Sequence, residues 1–169
     1  MKMPPWLRKG ALTLHVIFSV GWLGAVVAYL PLAMAGLTST DSETVRSAYM
    51  AMERIGWLVI VPLSLGSLLS GLVQSIGTEW GLLRHYWIIA KLVLTVISTI
   101  ILLLHMPVVS RMAAMASATT LPIAAPGMLR TQLLMHAAAG LLVLAVIVAL
   151  SIFKPWGRTR LGAAATCGL

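Results

Sequence analysis

The chain has 169 residues, 60% of them hydrophobic and 9% charged, with 12 Lys and Arg against 4 Asp and Glu for a net charge of +8. A soluble domain carries roughly 25% charged residues on its wet surface, so this composition excludes one, together with a disordered tail and a nucleic-acid binder. The mean hydropathy of +0.99 and the basic excess fit a membrane protein, whose Lys and Arg gather on the cytoplasmic side; the lone Cys167 excludes an internal disulfide.

A helix that crosses about 30 Å of hydrocarbon needs about 20 apolar residues. Four stretches qualify: residues 10–40, 55–78 and 131–153 carry no charge, and 85–110 carries only Lys91. They predict helices over about 9–36, 52–76, 84–107 and 130–153, forming a single all-α domain, a membrane-embedded four-helix bundle. The first run also reads as a signal peptide, but it is longer than a signal core of roughly 7–15 residues and contains Trp22, Tyr29 and Pro31. Between the helices, residues 37–51 read as a polar connection and 77–83 as a short turn. Pro122 and Pro126 break the chain before the fourth helix, and residues 112–118 read as an extra turn at the interface. Lys2, Arg8, Lys9, Arg84, Lys154, Arg158 and Arg160 lie on one side, against Arg46, Arg54, Arg111 and Arg130 on the other. That balance places both termini in the cytoplasm, as expected of a multi-pass protein of the bacterial cytoplasmic membrane, and the basic tail after Arg158 then lies near an anionic membrane surface.

Polar residues at membrane depth are costly and carry the functional signal. His15 follows Lys9 by six residues and Lys91 follows Arg84 by seven, about 9–10 Å along a helix, which puts them in one cytoplasmic-side layer. His105 precedes Arg111 by six and His136 follows Arg130 by six, defining a second, outer layer. Helical periodicity gives each helix one polar face: His15, Ser19, Trp22 and Tyr29 on the first; Glu53, Trp57, Ser64, Ser67 and Gly71 on the second; Trp87, Lys91, Thr95, Ser98 and His105 on the third; Gln132, His136 and Gly140 on the fourth. Small residues at four-residue spacing, Gly21 with Ala25 and His136 with Gly140 among them, allow close helix approach or leave room for a flat ligand.

Two histidines at one depth can supply both axial ligands of a haem iron, bind copper, or simply bond across helices. The residues alone leave these three open.

Several segments are similar to those of HemJ-type protoporphyrinogen oxidases: Leu14-His15 followed by Trp22, Tyr29-Leu30-Pro31, Met52-Glu53-Arg54, and Trp87 through Leu92. The layout more loosely resembles copper-resistance D-like membrane proteins. The run from Trp80 to Trp87 resembles a family of actinobacterial four-helix membrane proteins of unknown function. The HemJ resemblance covers the first three helices and implies haem binding at His15, with Lys91 as the catalytic cation or proton donor. In that family arginines follow the Tyr-Leu-Pro and Glu-Arg motifs and a histidine precedes Ala-Lys, where this chain has Leu32, Ile55 and Ile89.

The leading expectation is a membrane bundle that binds haem b, or a haem-like tetrapyrrole, for electron transfer or porphyrin oxidation. Lys91 would be catalytic, His15, His105 and His136 would be ligands to cofactor and metal, and Trp22 and Trp87 would flank the ring. The alternatives are a non-enzymatic accessory, assembly or transport subunit with structural histidines, and a copper carrier. Expected partners are the lipid bilayer and, as protein, a second copy of the chain or a membrane redox protein; nucleic acid is not among them.

Overall fold

The computed structural model describes residues 3–77, 85–118, 127–155 and 159. Four helices follow in chain order: α1 (Pro5–Thr38), α2 (Ser42–Gly77), α3 (Tyr86–Ala118) and α4 (Gly127–Phe153). Each is long and apolar enough to cross a membrane. Among the described residues there is no strand. Each helix packs on the next and α4 closes onto α1, giving an up-and-down bundle. Large apolar side chains face outward along its length, with Leu58 at 74% and Leu104 at 73% exposure. An apolar exterior of this kind suits lipid rather than water.

All four helices run further at one or both ends than their hydropathy predicts, α2 and α3 the most. α2 begins at Ser42 rather than near 52, so most of the polar segment 37–51 is helix. Asp41 caps it by accepting a hydrogen bond from the Thr44 backbone N–H at 2.9 Å. Val45, Ala48, Tyr49 and Met52 then form a buried stripe at three- and four-residue spacing. Low average hydropathy hid an amphipathic helix. α3 likewise continues through Pro107 to Ala118, because Val109, Met112, Ala113 and Ala116 make one buried face beyond the proline. Pro107 removes one helix hydrogen bond, and packing on both sides of it holds the helix together. α1 starts at Pro5 instead of 9, with proline at a position where its missing N–H is not needed. Of the turn predicted at 77–83, Gly77 is the last residue of α2, and residues 78–83, the proline-broken segment 119–126 and the tail beyond residue 159 fall outside the described residues.

At 34, 36 and 33 residues, α1 to α3 are each about 50 Å long, more than a bilayer core requires. The end of the bundle that gathers Thr38, Ser42 and Ala118 contains the tightest packing: Tyr49, Met52, Met106, Val109 and Met112 are all 1% exposed or less. There the Tyr49 hydroxyl donates to the Gly36 carbonyl at 2.8 Å and accepts from Arg130 Nε at 3.3 Å. The Gly36 carbonyl is one of the last in α1, where no helical partner remains, so Tyr49 satisfies it from the neighbouring helix.

Within α2, Gly56–Ile60 form a π-helical turn between the α-helical parts Ser42–Ile55 and Val61–Gly77. The wider turn keeps Met52, Gly56 and Ile60, spaced by four, on the buried side. It also moves Trp57 off the inner face on which uniform 100° spacing places it. Trp57 is 43% exposed and bonds through Nε1 to Ser110 Oγ at 3.1 Å.

Candidate functional site

The expected polar layers form two separate clusters. Near the end of the bundle where α1 begins, His15 of α1 meets Ser70 of α2, with Nδ1 and Oγ 3.1 Å apart. Ser70 donates its hydroxyl to the Gly66 carbonyl at 2.6 Å, so its oxygen accepts and His15 Nδ1 is the donor. Gly71 gives the imidazole its place: a Cβ there would stand 3.1 Å from His15 Cε1. One turn further along, Ser19 and Ser67 bond at 2.9 Å. Lys91 is within electrostatic range of His15, and its ammonium sits 5.6 Å from the Trp87 ring centre, in cation–π contact. Lys91 and Trp87, expected on one face of α3, are in contact. His15 is tied to Ser70, Ser19 to Ser67 and Lys91 to Trp87.

The second layer surrounds a cavity of about 310 Å³ between α1, α3 and α4, capped by Ile60 from the π turn of α2. Its polar wall is Trp22 and Tyr29 from α1, Ser98 and His105 from α3, and His136 from α4; Val26, Met106, Leu133 and Leu144 are among its apolar members. Among the described residues no charged one lines it. His105 and His136 come together as expected, their rings stacked with centroids 4.3 Å apart and planes 10° from parallel. His136 Nδ1 lies 2.8 Å from the Gln132 carbonyl. A carbonyl only accepts, so Nδ1 donates and Nε2 of the neutral ring is an acceptor. His105 Nε2 is buried with no hydrogen-bond partner.

Trp22 thus belongs to the cavity with His105 and His136, while Trp87 stays with Lys91. Tyr29, Ser98 and Gly140 also line the cavity. Their seven- and four-residue spacings from Trp22, His105 and His136 placed them on the right faces, but sequence could not show that those faces enclose an open space.

A pair of axial ligands must approach a haem iron from opposite sides of the macrocycle, each through a nitrogen aimed at the metal. Rings stacked face to face at 4.3 Å keep their in-plane lone pairs in parallel planes and leave no space between them for a macrocycle. The His105–His136 pair therefore does not fit both axial positions of one haem. His136 alone has the arrangement of a single ligand, its tautomer fixed by a backbone carbonyl. Among the described residues no group of three or more His, Cys, Asp or Glu side chains gathers as for a metal ion. Compared with known proteins, the chain matches no family model, no curated protein and no solved structure.

Proposed function

We propose that this chain is a multi-pass protein of a bacterial cytoplasmic membrane, both termini cytoplasmic, that holds a flat, conjugated, redox-active ring between α1, α3 and α4 and serves in electron transfer. What carries this reading is the stacked His105 and His136 pair on the wall of an uncharged cavity faced by Trp22 and Tyr29. Trp22 and Tyr29, whose polar groups have no hydrogen-bond partner among the described residues, line the same space, and unengaged polar groups beside an open space are a place for a ligand. A haem-like tetrapyrrole is the ring that the HemJ resemblance implies, and His136 is the residue that would hold it. Lys91 and His15 then stand apart from the ring as a polar cluster at the cytoplasmic end.

The test is an absorption spectrum of the detergent-purified protein from haem-supplied, quinone-replete cells, before and after dithionite, with analysis of an organic extract. A conjugated ring that changes on reduction supports the reading. A protein free of any such ring contradicts it, and then favours the accessory role, which the His15–Ser70 and Ser19–Ser67 bonds support as purely helix-joining contacts.

A further inference from the structure

We infer that the cavity walled by His105 and His136 is a binding site for the headgroup of a membrane quinone. This rests on the reading above that the cavity holds a flat conjugated ring, and it names the class of ring. Three observations converge. The volume of about 310 Å³ lies at the small end of ligand pockets, roughly 300–1,000 Å³, which suits one or two fused rings. Among the described residues no charged one lines the cavity, so it suits a neutral ligand and offers nothing to the carboxylates of a tetrapyrrole. Lastly, its polar groups are of both kinds.

Among the described residues neither the Trp22 indole N–H nor the Tyr29 hydroxyl has a hydrogen-bond partner, and both residues line the space. They can donate to the carbonyl oxygens of the oxidised ring. His136 Nε2, left as an acceptor by the Nδ1 bond to Gln132, can receive a hydroxyl from the reduced ring. His105 Nε2 itself is buried away from the space, so both redox forms are met by Trp22, Tyr29 and His136. A lining of donors alone or acceptors alone would hold only one redox form. His136 is also exposed although it lines the space, which leaves a ligand beside it a way out for an isoprenoid tail.

Gly140 provides a clean test, since a Cβ there meets nothing within 4 Å and a larger side chain can grow into the space. The full chain, stripped of quinone and placed in lipid nanodiscs, is titrated with decylubiquinone and followed by tryptophan fluorescence and calorimetry. Saturable binding of one quinone per chain is expected. Gly140→Phe should abolish it, and Tyr29→Phe and His136→Ala should each weaken it about tenfold, the loss of one hydrogen bond. If Gly140→Phe melts abnormally, Val143→Phe blocks the same space from the next turn. Binding that does not saturate, or that these variants leave unchanged, overturns the inference. A purified protein with a haem spectrum lost in Gly140→Phe and no quinone binding overturns the quinone while leaving the ring-binding reading intact. Absence of both rings overturns the two together.

Discussion

His105 of α3 and His136 of α4 stack face to face, 4.3 Å between ring centres and 10° from parallel. The contact joins two helices, one of which, α4, buries only Leu133, Ala137 and Leu144 within the bundle. One member of the pair has its proton placed by the Gln132 carbonyl and the other buries an unpaired nitrogen. An arrangement that serves packing alone would not need that nitrogen.

His105→Phe should therefore separate stability from binding. The phenyl ring keeps the stack and removes a buried polar atom without a partner, whose burial costs about 1–3 kcal/mol. A melting temperature equal to or above that of the parent, with weakened ring binding, is the expected pair of results. A variant that melts lower shows that His105 Nε2 is satisfied in the folded protein.

Tyr49 and Gly36 make a second contact that tolerates little change. A Cβ at Gly36 would lie 2.9 Å from the Tyr49 ring, and that ring is fixed through its hydroxyl. Gly36→Ala should cost about 1–3 kcal/mol by overpacking. Tyr49→Phe should cost about 1–2 kcal/mol by leaving the Gly36 carbonyl unpaired. Gly56→Ala also creates a close contact, 2.5 Å from Met106 Cε, but with the tip of a flexible side chain that can swing aside. Thermal denaturation in detergent should rank Gly36→Ala as more damaging than Gly56→Ala.

The α2 cap should give the protein a pH dependence at the acid end. Hydrogen bonds from the Thr44 hydroxyl and backbone N–H hold the Asp41 carboxyl below the usual carboxylate range. A depressed folded-state value means that the contribution is fully present above the usual range and is lost as pH falls through the depressed value. Stability measured from neutral pH down to about pH 3 should decline less steeply in Asp41→Asn, because asparagine caps without titrating. Equal slopes would show that the ionised cap contributes nothing.

Ser70→Ala tests the independence of the two clusters. It removes the acceptor from His15 Nδ1, which should destabilise the bundle by about 1 kcal/mol. Ring binding at the His105 and His136 cavity should stay the same. A loss of ring binding in this variant would mean that the ligand contacts the His15 end instead.

Much of the architecture was legible from residues 10–40, 55–78, 85–110 and 131–153 alone, because a helix in an apolar medium must satisfy its own backbone and leaves a long uncharged run as its signature. The shared layers of His15 with Lys91 and of His105 with His136 were also legible, since depth follows from counting residues along a rigid helix. The first ten residues of α2, Ser42 to Ala51, were hidden because amphipathic helices average to low hydropathy, and their signal is period rather than mean.

Sequence by itself determined that this protein is four apolar helices, each with one polar face, because charge content and run length are properties of the chain before it folds. Only the tertiary structure decided what those faces do. Face-to-face stacking of His105 on His136, the π turn that moves Trp57 outward, and the cavity beside Gly140 all depend on how far apart and at what rotation the helices settle. That spacing is set by packing among side chains distant in sequence, and no local pattern encodes it.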